Sequence, residues 1–137
     1  MDDLEKFVTA QAPVYQRVLA ELRAARKQTH WMWFMFPQIA GLGRSATAQQ
    51  YAIASLDQAA AYLAHPLLGP RLRECCALVL AVDGRSANDI FGQPDDVKFR
   101  SSLTLFARAA PDQAIFTQCL EKYFGGVPDA ATLAYIG

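Results

Sequence analysis

DDVKFRSSLTLF, residues 95–106, is the stretch whose residue spacing decides the fold class of this chain. Its large apolar residues Phe99, Leu103 and Phe106 recur at three- and four-residue intervals, the period of an α-helix rather than of a strand. On a helix these three side chains form one continuous stripe. The pattern therefore predicts a helix that packs against a hydrophobic core.

The same helical period continues on both sides of this stretch. It is found over Val14–Leu22, Leu68–Val79 and Ile115–Tyr123. Ser55 and Ser86 stand where a side-chain cap would begin two shorter helices, and the glycine pair at 125–126 would end a longer one. A last short helix is expected to begin near residues 128–129.

No segment shows the alternation and the hairpin turn of paired strands. Leu78–Val82 is strand-like in composition, but it continues an amphipathic helix without a break. The chain also contains no linker-like tract, internal repeat or low-complexity segment. We therefore predict an all-α fold, a compact multi-helical orthogonal bundle that forms a single domain over residues 1–137.

The composition excludes several classes of protein. A chain of 137 residues can bury a sizeable core, since a domain of this size buries about 68% of its unfolded surface. A hydrophobic fraction of 53% is typical of a globular protein and not of a disordered one. Thirteen basic and thirteen acidic residues cancel, so the broad positive field that binds a nucleic-acid polymer is not expected.

The sequence also predicts a cytoplasmic protein without a metal, a cofactor or a membrane partner. The N-terminal MDDLEKFV is acidic and has no apolar signal region, and the longest apolar run, Trp31–Pro37, is too short to span a bilayer. Cys75, Cys76 and Cys119 form an odd set with an adjacent pair, which is a poor disulfide framework. No metal-ligand spacing accompanies them, so we expect buried thiols in a reducing compartment.

The aromatic stretch Lys27–Gln38, KQTHWMWFMFPQ, is the least ordinary part of the chain. If it is helical, one face carries Arg23, Lys27, His30, Trp31 and Phe34. Two cations and an imidazole beside an indole suit an anion held against an aromatic wall. Trp31 and Trp33 would point about 200° apart, so we expect Trp31 to face a ligand and Trp33 the core. The alternative is a core helix whose His30 satisfies a backbone carbonyl.

Two further segments carry candidate binding residues. Gly41–Ser45, GLGRS, offers backbone amides to a phosphate, with Ser45 beginning a helix that reaches Tyr51; the alternative is a plain turn and helix cap. Lys98, Ser101 and Ser102 lie on one side of the helix predicted over 95–106 and are candidates to line a polar pocket. Their alternative is tight helix packing beside a solvated lysine.

The stretches HWMWFMFPQ, GLGRS, HPLLGPRL and DDVKFRSSLTLF together resemble the bacterial family called domain of unknown function 1810. The resemblance runs from about Phe7 to Ile136, and the first stretch is its most specific signature. It implies a compact multi-helical fold and no established activity. Phe99 stands where the family often has Leu, and Leu103 where it often has Met. Some members carry the name calpastatin, although calpain inhibitors of that kind are long, disordered, repeat-bearing chains.

These observations favour a protein that binds an anionic, nucleotide-like small molecule in one pocket, with or without catalysis. The candidate ligand-binding residues are Lys27, His30, Trp31, Gln38, Ser45, Tyr51, Lys98, Ser101 and Ser102. His30 is the candidate proton carrier, and Asp96 or Asp129 the candidate carboxylate. Helical N-glycosidases that cleave ADP-ribose-type compounds combine similar residues, which is an analogy only. The alternative is a structural or partner-interaction domain in which the same residues serve packing and capping.

Overall fold

The computed structural model of the chain describes residues 4–136. Within this range it contains ten α-helices and no strand. The helices are α1 Glu5–Gln11, α2 Tyr15–Arg23, α3 Met32–Met35, α4 Ala46–Gln50, α5 Leu56–Ala64, α6 Leu68–Leu80, α7 Ala87–Phe91, α8 Asp95–Ala109, α9 Ala114–Phe124 and α10 Ala130–Ile136. The predicted all-α fold class is confirmed, and most of the strand-like stretch 78–82 lies in α6.

The helix α8 is the centre of the fold. Its first turn carries Asp95 and Asp96, whose charges suit the positive end of the helix dipole. Phe99 and Phe106 are fully buried and Leu103 is 1% exposed, so the stripe predicted from the sequence is confirmed. α8 packs against α5, α7, α9 and α10, which is why its six consecutive residues 101–106 are all buried.

Aromatic rings join α8 to the segment around α3. Phe36 meets Phe91 and Phe99 edge-on, at centroid distances of 5.8 and 5.1 Å, and Phe91 stacks on Phe99 at 4.6 Å. Each such pair contributes about 0.5–1.5 kcal/mol beyond the area that it buries. The rings therefore fix the position of α3 and the loop before it relative to the N-terminal end of α8.

Short polar side chains begin several helices as the sequence predicts. Ser86 and Asp89 form a reciprocal capping box at α7, with both hydrogen bonds at 3.0 Å. Ser55 accepts the amide of Gln58 at 3.1 Å, but the Gln58 side chain turns to the amide of Ala54 instead of completing the box. These caps satisfy amides that a helix leaves without an internal partner.

The helix assumed across residues 23–34 does not exist, and that part of the sequence prediction is wrong. α2 ends at Arg23, Ala25 adopts a left-handed φ of +58°, and α3 begins only at Met32. The helix ends in a left-handed turn, in which the amides of Ala25 and Arg26 donate to the carbonyls of Leu22 and Glu21, both at 3.0 Å. The Glu21 carboxylate then accepts the backbone amides of Gln28 and Thr29 and holds the loop that follows. Consequently Lys27, His30 and Trp31 do not share a helix face.

The three cysteines lie in the core as free thiols. Cys119 donates to the carbonyl of Cys76 at 3.5 Å, and burial raises the pKa of the Cys75 thiol to about 12. The Cys75 thiol is therefore protonated and unreactive at neutral pH. Across residues 4–136, no helix combines the length and the apolar character that a bilayer crossing requires.

Candidate functional site

Lys27 lies in the loop between α2 and α3 and is held from several directions. Its backbone amide donates to the carbonyl of Ile90 at 2.7 Å, which pins the loop to α7. Its ammonium group contacts Asp95 Oδ2 at 2.8 Å and the carbonyl of Thr29 at 2.6 Å, and it lies 5.0 Å from the centroid of the Trp31 ring. Only 7% of the side chain is exposed, so Lys27 is a nearly buried cation.

Lys98 approaches the same carboxylate from one helical turn away on α8. Its Nζ lies 3.6 Å from Asp95 Oδ1 and 5.3 Å from the centroid of the Trp33 ring. The side chain is 25% exposed, and Trp33 is half-buried. Two lysines, one on each carboxylate oxygen, therefore meet at Asp95 beside an accessible indole. We call Lys27, Asp95, Lys98 and Trp33 the Asp95 cluster.

A buried carboxylate shapes the loop that carries Lys27. Glu21 is 8% exposed, and its Oε1 accepts from the amides of Gln28 and Thr29 and from Trp31 Nε1 at 2.7–3.0 Å. Its Oε2 accepts the Thr29 hydroxyl at 2.6 Å. Burial alone would raise the pKa of Glu21, but hydrogen bonds from Thr29, Gln28 and Trp31 outweigh it and lower that pKa below its ordinary value. Glu21 is therefore a carboxylate that neutral donors stabilise, and no ion pair to it is present among residues 4–136.

Trp31 and Trp33 occupy different environments, as their spacing predicts, but in the opposite order. Trp31 is 1% exposed, packs on Phe36 at 6.2 Å and donates to Glu21, whereas Trp33 faces Lys98 and remains partly exposed. The expectation that Trp31 faces a ligand and Trp33 the core is wrong. It depended on a helical phase that the loop does not have.

The structure places His30 and Gln38 outside the Asp95 cluster. His30 is exposed, and among the described residues it makes no hydrogen bond, ion pair or ring contact. Gln38 is half-buried, and its carbonyl accepts the amide of Ile53 at 2.8 Å. His30 is thus free for solvent or ligand but is not oriented by a neighbour, as a general base ordinarily is.

Packing and helix capping explain the glycines and the serine of the GLGRS segment. A Cβ at Gly41 would lie 2.6 Å from the Tyr135 ring, and one at Gly43 would lie 2.4 Å from the Ala48 Cβ. Ser45 accepts the Ala48 amide at 3.1 Å and begins α4, as predicted. Tyr51 packs against the rings of Phe7 and Phe34 at 5.7 and 5.5 Å. The turn and helix cap that the sequence left open as an alternative account for this segment.

The remaining polar candidates lie around α8. Ser101 contacts Asp129 Oδ2 at 3.1 Å, and that carboxylate also accepts the amide and the hydroxyl of Thr132, so Asp129 serves to begin α10. Asp96 accepts the Asn88 side chain at 3.3 Å. Ser102 is 1% exposed, and its hydroxyl has no hydrogen-bond partner in the described structure. None of these contacts joins Ser101, Ser102 or Asp129 to the Asp95 cluster.

Sequence reasoning missed Asp95 and Glu21. The i,i+3 spacing of Asp95 and Lys98 on a predicted helix was a signal for Asp95, because such pairs meet on a helix surface. No sequence signal pointed to Glu21, whose partners lie seven to ten residues away in a loop. Arg71 was also missed as an ordered residue: it donates to the buried Gln11 at 3.3 Å and lies over the Tyr15 ring.

The surface grooves formed by residues 4–136 include two that are each large enough for a small ligand. One has a volume of about 310 Å³ and lies between Ser55–Asp57 and the C-terminal residues Tyr135 and Ile136. The other has a volume of about 330 Å³ and lies between α2 and the loop residues 26–29. Across residues 4–136, no group of three or more His, Cys, Asp or Glu side chains is placed to hold a metal ion.

Comparison with known proteins places the chain in a defined group. The family described as "Protein of unknown function (DUF1810)" matches residues 1–136. The chain is similar to the conserved hypothetical protein Rv1873 from Mycobacterium tuberculosis, whose crystal structure was determined at 1.38 Å. The two share 57% sequence identity with a TM-score of 0.97, over 98% of this chain and 96% of that one. No curated protein matches the chain.

Proposed function

Because the chain belongs to the family described as Protein of unknown function (DUF1810), we propose a function from its own geometry: it binds an anionic, nucleotide-like small molecule at the Asp95 cluster. Lys98 supplies the charge for the phosphate, and Trp33 supplies the face for the base. Lys27 and Asp95 form the floor that orients Lys98. The family membership that the four sequence stretches indicate is confirmed, but the family description assigns no activity.

The observation that carries this proposal is the convergence of Lys27 and Lys98 on one carboxylate beside Trp33. Two ammonium groups around one carboxylate leave a net positive charge. Lys98 lies 3.6 Å from Asp95, beyond an ideal hydrogen bond, and is the more exposed of the two lysines. An ammonium group with spare donors next to an accessible indole suits a phosphate joined to a flat ring, because bases stack on aromatic faces with about 1–3 kcal/mol each.

One observation favours the structural alternative. Lys27 is 7% exposed and has three contacts, which is the geometry of a clamp between the loop and α8. In that case the cluster stabilises the fold and binds nothing. The two functions make different predictions for the two lysines, because only Lys98 is accessible to a ligand.

The stability of lysine variants is the first measurement. Lys27→Ala leaves Asp95 with one distant cation and removes a nearly buried pair, so we expect a loss of about 2 kcal/mol in the free energy of unfolding. Lys98→Ala removes a partly exposed pair and should cost less than about 1 kcal/mol. Lys6→Ala is the matched control, because Lys6 also lies over a ring, 5.6 Å from the Phe7 centroid, outside the Asp95 cluster.

Ligand binding to the same variants is the second measurement. AMP, ribose 5-phosphate and inorganic phosphate are titrated while tryptophan fluorescence and melting temperature are recorded. We expect AMP to quench Trp33, to stabilise the wild type, and to bind about tenfold more weakly to Lys98→Ala and to Trp33→Leu. Lys6→Ala should bind as the wild type does. Absence of a response to all three compounds, with Lys27→Ala still destabilised, would establish the structural alternative.

We also propose that the protein works in the cytoplasm. Three buried, reduced cysteines in a short chain support this location, because secreted domains of similar size ordinarily use their cysteines in disulfides. Locating a tagged copy of the protein by cell fractionation tests the proposal, and recovery outside the cytoplasm would refute it.

A further inference from the structure

We propose that the groove between α2 and the Lys27 loop is a second binding site, for a small molecule that carries a phosphate or carboxylate group held by Arg17 and Arg26. This site is separate from the Asp95 cluster and does not depend on the function proposed for it. The groove has a volume of about 330 Å³, within the lower range of small-molecule pockets.

The groove follows from how Glu21 folds the loop back. One wall consists of Arg17 and Ala20 of α2 and Ala24, the residue that directly follows it, spaced so that they line one side of the helix. The other wall is the loop, held against α2 because the amide of Arg26 donates to the Glu21 carbonyl and the amides of Gln28 and Thr29 donate to its carboxylate. The two alanines keep the floor low, so a ligand can approach the helix closely.

Among residues 4–136, the basic residues that line this groove are Arg17 and Arg26, and both are exposed. In the described structure neither guanidinium group forms an ion pair or a hydrogen bond. By contrast, Arg71, Arg73 and Arg85 each donate to a protein oxygen. The two groove arginines therefore have all their donors available, in the planar arrangement that matches phosphate and carboxylate oxygens.

Glu21, the acidic residue that lines the groove, does not cancel the attraction between the two arginines and an anionic ligand. Both oxygens of Glu21 already accept hydrogen bonds, from Thr29, Gln28 and Trp31, and the dipoles of these donors offset its charge. Two guanidinium groups against one stabilised carboxylate give the groove a net positive charge. The exposed side chain of Gln28 adds a further polar group to the wall. Phosphate and carboxylate are the ligand groups that this set of donors recognises.

The test is a titration of the ¹⁵N-labelled protein with pyrophosphate, followed by amide chemical shifts. We expect saturable shifts concentrated on residues 20–24 and 28–29, and dissociation constants about tenfold weaker in Arg17→Gln and in Arg26→Gln. Arg23→Gln is the matched control, because Arg23 is an exposed arginine of the same helix that does not line the groove. Its binding should stay within about twofold of the wild type.

Two results would overturn the proposal. One is the absence of saturable shifts at millimolar pyrophosphate in spectra of the folded protein. The other is equal weakening in Arg23→Gln, which would reveal diffuse attraction to a basic surface and no built site. The location of the shifts keeps the two proposals apart, because shifts at residues 20–24 report on the groove and shifts at residues 95–98 report on the Asp95 cluster. Saturable shifts at the groove would therefore support this site whether or not the Asp95 cluster binds a ligand.

Discussion

Replacement of Glu21 tests the central structural argument, that one buried carboxylate organises both the Lys27 loop and the groove beside it. Glu21→Ala removes the acceptor of four donors, from Gln28, Thr29 and Trp31. Glu21→Gln keeps the side-chain shape and one carbonyl oxygen but removes the charge. The comparison therefore separates the loss of an acceptor from the loss of a negative charge.

The expected magnitudes follow from the exposure of each donor. Trp31 is 1% exposed, so its indole N–H has no access to water and would cost about 1–3 kcal/mol if left unpaired. Gln28 is exposed and Thr29 is half-buried, so water entering through the groove can replace part of their loss. We expect Glu21→Ala to lose about 3 kcal/mol of unfolding free energy. Glu21→Gln should lose about 1–2 kcal/mol, because the charge is lost and the oxygen that accepts the Thr29 hydroxyl becomes an NH2 group, while the other oxygen keeps its three donors.

Urea unfolding at pH 7, followed by tryptophan fluorescence, measures both losses. The pH dependence gives an independent check, since the pKa of Glu21 is lowered in the folded protein. A lowered carboxyl pKa contributes stability that is present above the ordinary value of about 4.5 and is lost as pH falls through the folded value. The stability advantage of the wild type over Glu21→Gln should therefore shrink as the pH falls from about 4.5 through the lower pKa that Glu21 has in the folded protein.

A loss below about 1 kcal/mol in Glu21→Ala would refute the claim that this carboxylate holds the loop. Equal losses in Glu21→Ala and Glu21→Gln would show that charge alone matters and that the retained acceptor does not. A pH-independent difference between the wild type and Glu21→Gln would contradict the lowered pKa. Arg23→Ala serves as the control for a change at the end of α2 without a buried contact.

Three further changes have defined outcomes. Ala25→Gly should raise the unfolding free energy by about 1 kcal/mol, because Ala25 has a left-handed φ of +58° that glycine adopts without steric cost; an unchanged urea midpoint would contradict this. Gly41→Ala should lower the unfolding free energy by about 1–2 kcal/mol, because φ at this position is +105° and the new Cβ would lie 2.6 Å from the Tyr135 ring. Adding Tyr135→Ala to this variant should recover part of the lost stability. His65→Ala should lower the melting temperature by a few degrees, because Nδ1 of His65 accepts the amides of Leu67 and Leu68, where α6 begins, at 3.1 and 3.3 Å. A melting temperature equal to that of the wild type would show that these bonds contribute nothing.

The apolar stripe of α8 was predictable because its period is a local property. Phe99, Leu103 and Phe106 needed no information about distant residues to indicate a helix with one buried side. The same holds for Ser45, Ser55 and Ser86, whose side chains bond to amides three residues ahead. The fold class, the caps and the family resemblance therefore followed from short-range patterns.

The candidate site was not predictable in the same way, because long-range contacts decided it. Lys27 and Lys98 were proposed together from their chemistry, but a helical face was the wrong reason and Trp31 the wrong indole. The apolar residues around Trp31 are compatible with a helix and with the loop that the structure shows. Because most side chains of this segment are buried, apolar residues occur at nearly every position, whichever backbone conformation it has. A periodic pattern cannot distinguish the two.

What the sequence determined by itself is the all-α fold, the stripe that centres it on α8, and the presence of lysines and indoles with no obvious role in a core. Only the structure decided where α2 ends, since the turn that closes it has an alanine, Ala25, in the left-handed conformation that glycine usually adopts, and the Glu21 side chain holds the loop that follows. The same contact turned the Trp31 ring inward and left Trp33 beside Lys98. The reason is physical: helix periodicity depends on neighbours three and four residues apart, whereas a buried carboxylate takes its hydrogen bonds from whichever donors the folded chain brings to it.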